Sequence, residues 1–122
     1  MLDVLIVDDS AAIRKILQRV LRQAGIPLGS VYEAGDGVEA LDILNNQVVG
    51  LILSDINMPN MDGLELLTRV RASQAWQNLP IVMVSTDATH AKVLQAVERG
   101  ASGYLRKPFT AEQLKETLAS LF

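Results

Sequence analysis

Residues 51–63 read LILSDINMPNMDG and join a short apolar run to an irregular polar loop. The apolar run has the length of a buried strand and ends in the carboxylate Asp55. The loop after it is rich in Pro, Asn, Asp and Gly, which is the composition of turns with special backbone dihedral angles. Open α/β sheets place their ligands at the carboxyl ends of strands. We therefore expect Asp55 to be a nucleophile. The remainder of the chain would hold it in place and set its electrostatic environment.

The overall composition is that of a single domain with an aliphatic core. The chain has 122 residues, of which 49% are hydrophobic and 4% aromatic, and it contains no cysteine, which excludes disulfides and thiolate metal sites. No apolar stretch reaches about 18 residues, so no membrane insertion is expected. The net charge is −3 and the basic residues are scattered, which argues against direct nucleic-acid binding. We expect a cytoplasmic protein.

Strand-like and helix-like segments alternate along the whole chain. Strands are predicted at residues 2–8, 30–34, 51–54, 79–85 and 102–106. Helices are predicted to begin at or just after the residues Ser10, Asp36, Asp62, Asp87 and Thr110. The second, third and fifth of these starts have the spacing of a capping box. This alternation predicts an α/β fold of the (βα)5 type, with a parallel sheet, right-handed crossovers and helices on both faces.

Hydrophobic periodicity assigns inner faces to the helices. In the first helix the predicted inner residues are Ile13, Ile16, Leu17, Val20 and Leu21, and in the fourth they are Val93, Ala96 and Val97. Gly25 and Gly100 are placed to end these two helices. Trp76 is expected to pack at the rim of the core.

Polar residues stand at the carboxyl ends of four predicted strands, which share one edge in a parallel sheet. They are Asp8, Asp9, Asp55, Ser85 and Lys107. Three carboxylates at one edge repel each other unless a cation neutralises them, and a hard divalent cation such as Mg²⁺ (or Mn²⁺) prefers oxygen ligands. One such cation and the ammonium of Lys107 together balance the three negative charges.

This set of residues matches the needs of phosphoryl transfer to a carboxylate. The reaction requires a nucleophile in line with the leaving group, and neutralisation of charge on the phosphoryl oxygens. Asp55 would be the nucleophile, while a metal ion, Lys107 and the hydroxyl of Ser85 could each contact one oxygen. The glycine-rich loops that bind nucleotide phosphates do not occur in the sequence, so nucleotide binding is disfavoured.

Four motifs carry a resemblance to a known family. They are VDDS at 7–10, DINMPNMDG at 55–63, VS at 84–85 and GYLRKPF at 103–109. In this order they resemble the motif set of response-regulator receiver domains, most closely the single-domain chemotaxis type, over essentially the whole chain. The resemblance implies a receiver domain over residues 1–122. It also implies a flavodoxin-like three-layer sandwich with strand order 2-1-3-4-5.

The resemblance also implies roles for the acidic residues. Asp55 would be the phosphoacceptor. Asp9, Asp55 and the backbone carbonyl of Asn57 would bind Mg²⁺ directly, and Asp8 would act mostly through metal-bound water.

Further residues resemble those that respond to phosphorylation in this family. Lys107 would pair with the phosphoryl group and would precede a cis peptide bond to Pro108. Ser85 would move toward the phosphoryl group and Tyr104 would turn inward behind it. The chain departs from the family at Thr86, where Ala or Gly is frequent, and its β-branched side chain could hinder a phosphodonor or an attacking water.

The implied function is a phosphorelay switch in two-component signalling rather than a turnover enzyme. A histidine kinase or phosphotransfer protein would donate the phosphoryl group, and the chain would catalyse only its own phosphorylation and dephosphorylation. A target protein would bind the face formed by the fourth helix, fifth strand and fifth helix. We expect a monomer, with dimerisation possible after phosphorylation, and a stand-alone receiver rather than part of a longer protein.

Simpler structural roles compete with each of these assignments. Asp55 could cap a turn, Asp8 and Asp9 could serve the helix start, and Lys107 could be a surface lysine. Ser85 could merely satisfy a strand end, Tyr104 could be half-buried without switching, and His90 is expected to be solvated. Asn57 and Asp87 flank the mouth of the site and could orient or exclude water.

Two other functions compete with the switch. A phosphatase with an aspartyl nucleophile would have a second acidic residue two positions after the first, where this chain has Asn57, which is no proton donor of that kind. A flavin-binding electron carrier would need a Ser/Thr/Gly-rich phosphate loop after the first strand, where this chain has Asp8 and Asp9.

Overall fold

Within the residues that the structure describes, ten elements alternate between strand and helix, as the sequence predicts. The computed structural model describes residues 1–86 and 89–122. The elements are β1 (Leu2–Val7), α1 (Ala11–Gln23), β2 (Leu28–Ala34), α2 (Gly37–Asn46), β3 (Leu51–Ser54), α3 (Gly63–Ala72), β4 (Ile81–Ser85), α4 (His90–Glu98), β5 (Gly103–Arg106) and α5 (Ala111–Ala119). All strand pairs are parallel, and the sheet order is β2-β1-β3-β4-β5. The predicted fold class and strand order are confirmed.

The sheet separates two apolar layers, because successive side chains of a strand point to opposite faces. In β1, Leu5 and Val7 belong to the layer covered by α2, α3 and α4. Val4 and Ile6 belong to the layer covered by α1 and α5. The strands are therefore buried on both faces, which explains why they read as nearly continuous apolar runs.

Side-chain caps fix the start of every helix that follows a strand. The cap side chain accepts a hydrogen bond from the backbone N–H three residues later at Ser10, Asp36, Asp62, Thr89 and Thr110. Of the three predicted capping boxes, the one at Thr110 is reciprocal, since the side chain of Gln113 accepts from the Thr110 N–H. The side chains of Glu39 and Glu65 instead contact the Gly35 N–H and Arg69.

Two of the predicted inner residues face outward. Ile16 of α1 is 47% exposed, because α1 packs on the sheet through Leu17 and Leu21. Val97 of α4 is 58% exposed, because α4 buries Ala96 and the next residue lies about 100° around the helix.

Some predicted strand boundaries also differ by one or two residues, including the end of β1 at Val7 and the start of β5 at Gly103. Strand β2 begins at Leu28 rather than at residue 30, because Leu28 pairs with Leu2 of β1. Strand β4 begins at Ile81, directly after Pro80. The predicted helix start at Asp87 lies outside the described residues, and α4 is described from His90.

The topology places the ends of β1, β3, β4 and β5 along one edge of the sheet. Registers such as Val7 with Ser54 and Ser85 with Arg106 keep these ends level. Trp76 is half-buried and precedes β4, so it lies at the opposite edge. Within residues 1–86 and 89–122, no helix is long and apolar enough to span a membrane.

Candidate functional site

Asp55 follows β3 directly and is held by hydrogen bonds on both its backbone and its side chain. Its backbone N–H donates to the carbonyl of Val7 (2.8 Å), which fastens it to the end of β1. Its Oδ1 accepts from the Ile56 N–H (2.8 Å). The side chain is 12% exposed. Asp55 thus presents a fixed, partly accessible carboxylate at the sheet edge.

Asp8 is a buried carboxylate with two engaged oxygens. Oδ1 accepts from the Ser10 N–H (2.9 Å), and Oδ2 lies 2.8 Å from the Nζ of Lys107. Its side chain is 2% exposed. Asp8 therefore closes the turn from β1 into α1 and links that turn to the loop after β5.

Asp9 is exposed, and its carboxylate has no hydrogen bond or ion pair with any residue in 1–86 or 89–122. One ligand atom each from Asp8, Asp9 and Asp55 can be chosen so that all three lie within 4.8 Å of one another. Carboxylate oxygens grouped in this way suit a hard divalent cation such as Mg²⁺ or Mn²⁺. The donor set therefore fits the metal that the sequence predicts.

The electrostatic environment of Asp55 is dominated by burial. Burial raises the pKa of Asp55, Lys107 acts in the opposite direction, and the neighbouring charges of Asp8 and Asp9 raise it further. The Ile56 hydrogen bond also lowers it. The net effect is an upward shift of the pKa, so the carboxylate of Asp55 is more basic than an exposed aspartate.

Lys107 bridges two of the carboxylates. Its Nζ lies 2.8 Å from Asp8 and 3.6 Å from Asp55, and the side chain is 16% exposed. Its backbone N–H donates to the carbonyl of Ser85 (2.8 Å), and the Lys107–Pro108 peptide is cis, as the resemblance implies. The three predicted acidic residues and the predicted lysine are therefore brought together.

The predicted switch residues lie on β4 and β5, near the strand ends that carry the site, but they are less accessible than Asp9, the exposed carboxylate of the cluster. Ser85 is fully buried at the end of β4, and the next residue, Thr86, is exposed. Tyr104 of β5 is half-buried and packs against the core layer formed with α2, α3 and α4. Thr86 and Lys107 also line an apolar cavity of about 300 Å³ beside α1.

The loop between Asp55 and α3 is shaped by its neighbours. Asn60 has a positive φ of 64° and donates its amide to Asp36 (2.8 Å). The hydrogen bond from the Glu39 N–H is the largest influence that lowers the pKa of Asp36, and the hydrogen bond from the Asn60 amide is the next.

A side chain on Gly63 would overlap the carbonyl oxygen of Asp55, so the close approach requires glycine. Asn57, whose carbonyl is a predicted ligand, is exposed in this loop.

Arg14 contacts the site although the sequence alone places it only on the polar face of α1. Its guanidinium donates to the carbonyl of Asp8 (2.6 Å) and to Glu33 of β2 (3.0 Å). The one available signal is its position in the first turn after Asp8–Asp9, since an arginine there is close enough to reach back to the turn.

Sequence and structure comparisons agree on the class of protein. Residues 4–119 match the model of the response regulator receiver domain, and the chain belongs to this family. Among curated proteins it is 44% identical over 115 residues to the chemotaxis protein CheY homolog of Campylobacter jejuni, covering 93% of this chain and 87% of that protein.

Solved structures agree with this assignment. The chemotaxis response regulator CheY4 of Vibrio cholerae is 38% identical, with a TM-score of 0.87, and the match covers 100% of this chain and 99% of that one. The Mn²⁺-bound form of response regulator Rcp1 is 26% identical, with a TM-score of 0.79, and the match covers 99% of this chain and 91% of that one. The chain is thus a CheY-like receiver domain, a class of signalling switch. This assignment favours the switch function over an aspartyl phosphatase or a flavin-binding electron carrier.

Proposed function

We propose that residues 1–122 form one receiver domain that accepts a phosphoryl group on Asp55 from a histidine kinase or phosphotransfer protein. The observation that carries the proposal is the meeting of three carboxylates and Lys107 at one sheet edge, with Asp55 partly accessible among them. A structural turn cap needs no such cluster. The modified protein would then bind a downstream target differently.

In the proposed reaction, a carboxylate oxygen of Asp55 attacks the phosphorus of the donor. The new bond joins that oxygen to phosphorus, the donor's P–N bond breaks with its electron pair going to the imidazole nitrogen, and that nitrogen is protonated by solvent. The Ile56 N–H holds Oδ1 of Asp55, and the side chain is 12% exposed, so a donor can reach the carboxylate. Lys107, already within 3.6 Å of Asp55, is positioned to pair with a phosphoryl oxygen.

Mg²⁺ or Mn²⁺ is the proposed cofactor. Asp9, Asp55 and the backbone carbonyl of Asn57 would hold it, and Asp8 would contribute through bound water. These different roles for Asp8 and Asp9 fit the contacts. Both oxygens of Asp8 are already engaged by Ser10 and Lys107, whereas the carboxylate oxygens of Asp9 are available to a cation within the described part of the chain. When bound, the cation neutralises negative charge on the carboxylates and the phosphoryl oxygens.

Ser85 and Tyr104 are the proposed switch residues. A hydroxyl at the end of β4 is one residue from the mouth of the site, and Tyr104 lies on the neighbouring strand in register with Met83. We place the target on the face formed by α4, β5 and α5. Leu94 and Val97 of α4 are 46% and 58% exposed, so α4 offers apolar contact area to a partner.

The cellular setting proposed is cytoplasmic two-component signalling of the chemotaxis type. The receiver would act through protein partners and would not bind nucleic acid directly. It would be a monomer before phosphorylation and would catalyse only its own phosphorylation and dephosphorylation.

Intact mass spectrometry tests the proposal. Wild-type protein, Asp55→Asn and Asp42→Asn are incubated with acetyl phosphate, with Mg²⁺ or with EDTA. Asp42 is the matched control because it is an exposed aspartate on α2, outside the cluster. We expect one added phosphoryl group on the wild type and on Asp42→Asn with Mg²⁺, and none on Asp55→Asn or with EDTA. Equal labelling of Asp55→Asn would refute the assignment of the nucleophile.

A further inference from the structure

The two peptide groups that flank Asp9 are both held by side chains. The peptide between Asp8 and Asp9 is held through its carbonyl, which accepts from Nη1 of Arg14 at 2.6 Å. The peptide between Asp9 and Ser10 is held through its N–H, which donates to Oδ1 of Asp8 at 2.9 Å. Because the backbone angles of a residue are set by its two flanking peptides, these bonds fix the direction in which Asp9 projects.

Arg14 is itself anchored at both ends. Its backbone N–H donates to the carbonyl of Ser10 (3.1 Å), and its Nε donates to Glu33 (3.0 Å). Glu33 also accepts a hydrogen bond from Lys15 (2.9 Å), and this bond is the largest influence that lowers the pKa of Glu33. Desolvation by burial raises the pKa, and the hydrogen bond from Arg14 lowers it further. The Arg14 side chain is 19% exposed, so its guanidinium is partly shielded from water. It therefore connects β2 to the turn that carries Asp9.

We propose that Arg14 is a positioning residue that prepares Asp9 for binding a divalent cation. The inference rests on the proposed function, since it concerns the metal site of that function. Asp9 is the exposed member of the cluster and makes no bond to the described part of the chain that would hold its carboxylate. Its position therefore depends on its backbone. Groups that orient metal ligands without touching the metal typically change metal affinity by about 10- to 100-fold.

The sign of the expected effect separates positioning from simple charge. Arg14 is a cation near a cation site, so its removal makes the local potential more negative. On charge alone, Arg14→Gln would bind a divalent cation more tightly than wild type does. The positioning role predicts the opposite result, because the amide nitrogen of Gln stands where Arg14 has Nε, two bonds short of the Nη1 that bonds the carbonyl of Asp8, so this carbonyl loses its donor and the turn gains freedom.

The test measures Mn²⁺ affinity of the unphosphorylated protein by the electron paramagnetic resonance signal of free Mn²⁺. We expect the dissociation constant to rise about tenfold in Arg14→Gln. Lys15→Gln is the matched control, because it removes one positive charge and one contact to Glu33 but leaves the Asp8 carbonyl bonded. Its dissociation constant is expected to stay within about twofold of wild type. Arg14→Lys retains a donor and is expected to recover part of the loss.

The outcomes separate this inference from the proposed function. Equal or tighter Mn²⁺ binding by Arg14→Gln would overturn the role of Arg14, as would an equal loss in Lys15→Gln. In either case, labelling of Asp55 in the same preparations would leave the proposed function standing. A wild type that neither binds Mn²⁺ nor becomes labelled would overturn both.

A second variant keeps the test decisive if Arg14→Gln does not fold. Glu33→Asp leaves the guanidinium and the local charge in place but shortens the side chain that anchors Arg14, so any loss of affinity cannot come from charge alone. It is expected to raise the dissociation constant about threefold, a fraction of the positioning effect. An affinity equal to that of Lys15→Gln would overturn the inference.

Discussion

Asp55→Asn is expected to stabilise the metal-free protein while abolishing its modification. The substitution keeps the shape of the side chain and an oxygen that can accept from the Ile56 N–H. It removes one negative charge from a cluster in which three carboxylates face a single ammonium. Residues arranged for chemistry rather than stability commonly behave in this way.

The magnitude follows from the distances. At an effective dielectric constant of about 20, a like charge 4.8 Å from Asp55 costs about 3.5 kcal/mol, and Lys107 at 3.6 Å returns about 4.6 kcal/mol. Lys107 thus offsets much of the repulsion from Asp8 and Asp9, and burial of Asp55, which is the largest influence on its pKa, leaves the ionised form destabilised. Because solvent screens the exposed Asp9, we expect a net gain of about 1–2 kcal/mol in the free energy of unfolding.

The pH dependence has a defined sign. Burial, reinforced by Asp8 and Asp9 and opposed by Lys107, raises the pKa of Asp55 above its ordinary value of 3.8. An acid with a raised pKa in the folded state destabilises that state once it ionises, and the cost disappears as it becomes protonated. The advantage of Asp55→Asn should therefore be complete at neutral pH and fade as the pH falls through the raised pKa toward 3.8.

Urea unfolding followed by far-ultraviolet circular dichroism measures the effect, with Asp42→Asn as control for the loss of one surface charge. Mg²⁺ at ten times its dissociation constant should stabilise the wild type by about 1.4 kcal/mol and leave Asp55→Asn nearly unchanged. An Asp55→Asn protein that is no more stable than wild type at pH 7 without Mg²⁺ would refute the electrostatic reasoning.

Three further substitutions test other parts of the site. Lys107→Ala removes the ammonium that bridges Asp8 and Asp55, so its Mg²⁺ affinity, measured by calorimetry, should equal or exceed that of the wild type. After labelling, the variant should lack the change in amide hydrogen exchange at β5 that the wild type shows. Weaker Mg²⁺ binding by the variant would contradict this reasoning. Thr86→Ala should accelerate labelling by acetyl phosphate in a mass-spectrometric time course, because a β-branched side chain leaves the mouth; an unchanged or slower rate would remove the steric argument. Gly63→Ala should lower the free energy of unfolding by about 3 kcal/mol in urea titrations, because its Cβ would overlap the carbonyl of Asp55; a loss below 1 kcal/mol would show that the loop yields easily.

The strand ends were predictable because their residues follow simple rules. Apolar runs of strand length marked β1, β3 and β4, and Asp8 and Asp55 stand just after two of these runs, while Lys107 follows the more polar β5. A parallel sheet brings these strand ends to one edge regardless of how the individual helices are rotated and packed. The assembly of the acidic cluster thus followed from topology, while the strand order came from the resemblance to receiver domains.

Other features depend on tertiary contacts that a single sequence does not encode locally. Ile16 matches the apolar period of α1, yet it is exposed because the packing of Leu17 and Leu21 sets the rotation of the helix. Arg14 looks like an ordinary residue of a solvated helix face, and its bond to the Asp8 carbonyl depends on the position of Glu33 in β2. The side chain of Asn60 similarly bonds to Asp36, 24 residues away in the chain.

The most direct test of the central claim is to identify the modified residue chemically. Wild-type protein treated with acetyl phosphate and Mg²⁺ is reduced with borohydride, which converts an aspartyl phosphate into homoserine, and its peptides are then sequenced by mass spectrometry. The proposed role of Asp55 predicts homoserine at position 55 and unmodified aspartate at positions 8 and 9. Homoserine at position 8 or 9 with position 55 intact, or no conversion at all, would contradict it.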